Sequence, residues 1–222
     1  MVYLSRSDIE KIAEPIIQIY KSLCVPEKHL CYSVDLLELI SILGYSVVYV
    51  NITKDGSILG QTSSCQIWTT ILDDSMNETL FLLDGKTILI DKRLLLPSLV
   101  GRRNFTIAHE LGHYALEHHL HSGSLFCSND GIMEEGSAAL AIEREANHFA
   151  TCLLMPEEKI RKAFKSMLYN SHRLRNKDFL YVNKATFGAW CGIRDDLMKR
   201  YGVSEEALRN RLRSLNLAKF NF

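Results

Sequence analysis

The stretch FTIAHELGHYAL, beginning at Phe105, places His109, Glu110 and His113 in the order H-E-x-x-H. On a helix the two histidines are one turn apart, so both imidazoles project from one face toward one point. Two ligands of a tetrahedral ion need that arrangement. Glu110 is rotated about 100° from His109 by the helix period. It therefore sits beside such an ion, where a carboxylate can take a proton from water. In a chain of this composition H-E-x-x-H arises by chance roughly once in fifty sequences. The motif alone does not separate a metal site from a polar helix that carries histidine, so a third ligand has to decide.

Two histidines and a third protein ligand leave one position open for water, the arrangement of catalytic zinc. The segment ALAIEREANHFATCLLM offers Glu143 and Glu145. They lie about 200° apart on a helix and cannot both face one ion. Glu143 is the choice and Glu145 the fallback. Asn147 is four residues after Glu143, shares its face, and from there could hydrogen-bond a ligating imidazole. Glu117, four after His113, drifts further around the helix and is the weaker candidate. His118, His119 and His121 follow closely, where histidine suits the negative end of a helix dipole. The sequence offers Tyr114, His148, His172 and Tyr181 as groups of the right chemistry to stabilise an oxyanion, and does not choose among them.

Elements must hold these residues in place. Ile9, Ile12, Ala13, Ile16, Ile17, Tyr20 and Leu23 recur at helical spacing, and Pro15 among them predicts a kink or two short pieces. Asp35 with Glu38 forms a candidate capping box, and Gly44 ends that helix. YSVVYVNI has the content of a strand, and SILGQTS, CQIWTTIL, ETLFLL and KTILID read as a small sheet over residues 57–91, with Asp84-Gly85 a hairpin candidate. VGRRNFTIAHELGHYALEHHL reads as one helix and HSGSLFCSNDGIMEEGSA as a loop. ALAIEREANHFATCLLM is a second helix ended by Pro156. The remainder is helical, and SEEALRNRLRSL has Ser204 at its cap. The fold class expected is α+β, a small β-sheet packed with a helical metal-binding core and a helical C-terminal part. Residues 1–158 would form the domain carrying the site, and 159–222 a basic helical extension.

With 47% hydrophobic and 23% charged residues in 222, the composition is that of an ordinary globular chain. No apolar run approaches the roughly 18 residues of a membrane span, and the charged N-terminus lacks a signal-peptide pattern. Six cysteines without a C-x-x-C pair suit reduced thiols in a cytoplasm, not a disulfide framework or a thiolate zinc site. The formal net charge of zero hides an asymmetry. Residues 1–158 hold 11 Lys+Arg against 21 Asp+Glu, and 159–222 hold 15 against 5. Such a basic part either packs on the acidic body or offers a surface to DNA.

RRNFTIAHELGHYAL followed by EREANHFATCLLMP resembles the ImmA/IrrE family of zinc-dependent, zincin-like metallopeptidases. The family's second motif, E-x-x-A-N-x-F-A-x-x-L-L-M-P, is met at Glu143, Ala146, Asn147, Phe149, Ala150, Leu153, Leu154, Met155 and Pro156. The resemblance covers about residues 30–160, and VSEEALRNRL is similar to family C-termini. It implies that His109, His113 and Glu143 bind the metal and that Glu110 is the base. It implies Zn²⁺, although a His₂Glu set also accepts Mn²⁺ or Fe. It also implies a substrate class: helix-turn-helix repressors, cut once to release their genes, in mobile elements or stress responses. Two other readings use the same residues. One is a non-catalytic module that binds a repressor or DNA, and the other is the toxin of a toxin–antitoxin pair. An intact Glu110 speaks against the first, since metal binding alone needs no base.

Overall fold

The computed structural model describes residues 4–23, 34–118, 124–128, 138–171, 174 and 178–221. The first amphipathic stretch forms one helix, α1 (Arg6–Leu23), with Ile9, Ala13, Ile17 and Tyr20 buried. Pro15 lies inside it without dividing it. Proline forfeits one backbone bond there, but the buried stripe runs on through Ala13 and Ile17, so packing outweighs the loss. Helix α2 (Leu36–Ile42) starts at Asp35, whose carboxylate accepts the N–H groups of Leu37 and Glu38. The reciprocal half of this box runs through α1. The Asp35 N–H donates to the Tyr20 hydroxyl at 3.2 Å, and that hydroxyl donates to Glu38 at 3.1 Å.

Strands β1 (Ser46–Val50), β2 (Ile58–Ser63), β3 (Gln66–Leu72), β4 (Glu78–Asp84) and β5 (Thr87–Asp91) follow. They do not form one sheet. Four strands pair in the order β1-β5-β2-β6, where β6 (Ser124–Ser128) comes from the segment expected to be loop. Here β1 runs parallel to β5, and β2 runs antiparallel to both β5 and β6. Strands β3 and β4 make a separate hairpin in unbroken antiparallel register. Asp84-Gly85 is therefore a tight turn carrying the chain from the hairpin into the sheet, with Gly85 at φ 82°, and not the tip of a hairpin.

The hairpin covers one face of the sheet and the helices the other. Ile67, Ile71, Phe81 and Leu83 of the hairpin pack with Val48, Val50, Ile58 and Leu89 of the sheet. Ile88 and Ile90, alternating with Leu89 on β5, belong to the larger cluster beneath the helices. Every residue of β5 is buried. Its terminal Asp91 is no exception, because it accepts from the N–H of Ile52, from the N–H of Arg93 and from the Arg93 side chain.

Helix α3 (Val100–Ala115) crosses beneath the sheet and packs on α4 (Ala138–Leu154), which also contacts α1. Then come α5 (Glu157–Asn170), β7 (Leu180–Val182), α6 (Phe187–Tyr201), α7 (Glu205–Ser214) and β8 (Ala218–Phe220), with β7 and β8 paired in parallel. The large core cluster contains Ile17, Ile107 and Phe149 together with Phe164, Trp190, Leu197 and Leu212, so residues on both sides of position 158 share it. Arg211 of α7 is buried and donates to Glu10 of α1 at 3.0 Å and to the Met155 carbonyl at 3.1 Å. Among the described residues no helix is long and apolar enough to cross a membrane. The mixed helix-and-sheet architecture is the expected α+β class.

Candidate metal centre

Residues 106–114 of α3 are all buried, so the H-E-x-x-H turn lies inside the molecule. Small residues let α4 approach it closely. A Cβ on Gly112 would stand 3.0 Å from the Phe149 ring and 3.3 Å from the Ala146 carbonyl oxygen. That approach brings Glu143 over the two histidines. Its Oε2 lies 3.1 Å from His109 Nε2 and its Oε1 lies 3.5 Å from His113 Nε2. The two Nε2 atoms are 2.9 Å apart. His109, His113 and Glu143 thus offer three ligand atoms within 4.8 Å of one another.

Asn147, one turn after Glu143, places Oδ1 3.1 Å from His109 Nδ1. An amide oxygen only accepts, so His109 carries its proton on Nδ1 and presents a bare Nε2 to the cluster. Glu145 turns elsewhere. It accepts from His118 Nε2 at 3.1 Å and from the Leu4 N–H at 2.7 Å. Glu117 is exposed and at φ 55° stands just past the end of α3, which stops at Ala115 instead of running on toward Leu120. His119, His121 and His172 lie outside the described residues.

Glu110 is fully buried, and among the described residues neither carboxylate oxygen has a hydrogen-bond partner. Burial pushes its pKa up to about 8, with His109 pulling it down and Glu143 adding to the rise. An unpartnered buried carboxylate is costly unless a cation or a proton-bearing ligand sits beside it. Burial, then His109 and His118, hold His113 well below the usual histidine value, so its imidazole is neutral and fit to ligate. The donor set, two imidazoles and a carboxylate with an orphan carboxylate alongside, fits a divalent ion. Separations of 2.9–3.5 Å are close to the ligand–ligand edges of about 3.3 Å around an ion with bonds near 2.05 Å.

Strand β2 closes the other side of Glu110. A Cβ on Gly60 would stand 2.5 Å from Glu110 Oε1 and 2.8 Å from Thr106 Cγ2. Sequence reasoning missed this glycine, although a glycine inside a strand pattern is itself a sign of close approach. It also missed the His118–Glu145 pair, for which the sequence carries no signal. The expected oxyanion candidates are engaged elsewhere. The Tyr114 hydroxyl donates to the Ser63 carbonyl at 2.7 Å, His148 lies 3.5 Å from Cys152 Sγ, and the Tyr181 hydroxyl accepts from Asn221.

Known proteins match this architecture. A transcriptional regulator from Mycobacterium tuberculosis superposes with a TM-score of 0.50 at 18% identity. The alignment covers 95% of this chain but 47% of that one, so the chain spans about half the regulator's length. That likeness concerns the fold alone. No curated protein matches the sequence. The family model described as the IrrE N-terminal-like domain, of a peptidase family, matches residues 68–213, about two thirds of the chain and both helices of the candidate centre. The chain belongs to the IrrE N-terminal-like peptidase family.

Proposed function

We propose that the protein is a metal-dependent endopeptidase that makes a site-specific cut in a helix-turn-helix repressor. The observation that carries the peptidase reading is the convergence of His109, His113 and Glu143 beside a buried Glu110 that no described residue satisfies. The repressor as substrate rests on what the resemblance to the ImmA/IrrE family implies, beyond the family membership itself.

His109, His113 and Glu143 would hold the ion, Zn²⁺ in first place and Mn²⁺ as an alternative. When bound, the ion would supply Lewis acidity for the scissile carbonyl and for water, lowering the pKa of water far below its bulk value, to roughly 7. Glu110 takes the proton of the attacking water and returns it to the leaving amine. With a divalent ion held by its neighbours, Glu110 would be ionised and able to act as the base. Asn147 holds the His109 ring in the ligating tautomer. The β2 backbone at Gly60 and the packing of α3 and α4 exclude bulk water from the Glu110 carboxylate, which strengthens each of these interactions.

The basic C-terminal part reaches the body through Arg211, which pairs with Glu10 of α1, while Arg194 pairs with Asp195 and Glu205 inside the part itself and Arg161 with Glu157 one turn back on α5. The first pair supports a body-packing role, and the others neutralise charge locally. The test is to incubate the metal-loaded protein with the helix-turn-helix repressor encoded nearest to it and to follow intact mass. One defined cut, absent with Glu110→Gln, supports the proposal. A stable complex without a cut in either variant moves the reading to a binding module.

A further inference from the structure

We propose that His118 and Glu145 form an outer relay that fixes the tautomer and aim of His113, which makes both of them positioning residues of the metal centre. This rests on the metal reading above. Helix α3 ends at Ala115, and Glu117 then adopts the left-handed region at φ 55°. For a non-glycine residue that conformation is unfavourable, yet it folds the chain back on its own helix. The result is a buried His118 whose Nδ1 lies 3.0 Å from His113 Nδ1.

The order of donors along this path follows from its outer end. Glu145 Oε2, 3.1 Å from His118 Nε2, can only accept, so His118 Nε2 carries a hydrogen. The other carboxylate oxygen is occupied by the Leu4 N–H at 2.7 Å, which fixes the carboxylate from α1's side. A singly protonated His118 ring then offers a bare Nδ1. His113 must donate to it from its own Nδ1 and is left with a bare Nε2 that faces His109 and Glu143. His109 reaches the same tautomer through Asn147. Both ligand rings are thus held from behind, one by an amide and one by a histidine–carboxylate pair. Without such a partner a buried imidazole can turn or take the wrong tautomer.

The relay is read first in the metal-free protein by long-range ¹⁵N–¹H correlation of the imidazoles. The expected spectrum shows His118 protonated on Nε2 and bare on Nδ1, with the proton of the His113–His118 bond on His113 Nδ1. Zn²⁺ affinity is then measured by competition with a chromophoric chelator, and the visible band of bound Co²⁺ is recorded, for wild type, His118→Leu and His118→Gln. His118→Leu is expected to lose 10- to 100-fold in affinity and to shift the Co²⁺ band. His118→Gln, whose amide can accept from His113 and donate to Glu145, is expected to recover most of both. A folded His118→Leu that binds within twofold of wild type overturns the relay, as does a His113 without a proton on Nδ1. A wild type that binds no ion sinks the metal reading itself. In that event the tautomer, recorded without metal, still supports or overturns the relay.

Discussion

An alanine at position 60 would touch the proposed base before it touched anything else. Its Cβ would stand 2.5 Å from Glu110 Oε1, where carbon–oxygen contact ordinarily begins at about 3.4 Å, so the carboxylate must retreat by roughly 0.9 Å. The base has little room to do so, because Thr106 Cγ2 lies 2.8 Å from the same methyl. Misplacing a reacting group by about 1 Å costs on the order of 100-fold in rate, or about 2.7 kcal/mol. The proposed ligands His109, His113 and Glu143 are not among the nearest neighbours of that methyl. Gly60→Ala is therefore expected to lower kcat about 100-fold while KM and Zn²⁺ affinity stay within about threefold of wild type. The assay is single-turnover cleavage of the repressor by the metal-loaded protein, with circular dichroism to show that the strand still forms. A folded Gly60→Ala that cuts within threefold of the wild-type rate would refute the placement of the base.

Other expectations follow from the packing. Gly112→Val would force α3 and α4 apart at Phe149 and Ala146, costing roughly 1–3 kcal/mol of stability and weakening metal affinity together, because the ligands sit on both helices. A variant that loses stability but binds metal as before would contradict this. Arg211→Ala removes a buried guanidinium and its bonds to the half-buried Glu10 and to the Met155 carbonyl and should cost about 1.5–3 kcal/mol in urea unfolding; a loss under 1 kcal/mol would show the pair to be unimportant. Burial pushes the Cys152 thiol up to about 12 from 9.0, so at pH 8 a thiol reagent should modify the exposed Cys65 and leave Cys152 intact until unfolding. Since the folded value is the higher one, its stabilising contribution is complete below pH 9 and declines as pH rises toward 12. Cys152→Ala should flatten that alkaline decline in a melting profile.

The sequence made the local parts of the centre readable and left the non-local ones open. An H-E-x-x-H turn specifies its own geometry through the helix period, and Pro156 marked the end of α4. The choice between Glu143 and Glu145 depends on how α4 is rotated against α3, which is a property of packing around Gly112 and Ala146 and not of either segment alone. The structure sets Glu143 against His109 and His113 and turns Glu145 toward His118. Strand β6 escaped notice because five residues, SLFCS, sit among Gly, Ser and Asn that read as loop, and their pairing with β2 is long-range. The early stop of α3 was equally hidden. No glycine or proline marks it, and Glu117 takes the left-handed turn against its own preference.

Metal content tests the central claim most directly. The wild type, Glu143→Ala and Glu110→Gln would be purified, equilibrated with Zn²⁺, desalted and measured for bound ion per chain. The account requires one ion in the wild type and in Glu110→Gln, and none in Glu143→Ala. An ion retained by Glu143→Ala, or lost from Glu110→Gln, would contradict the assignment of ligand and base.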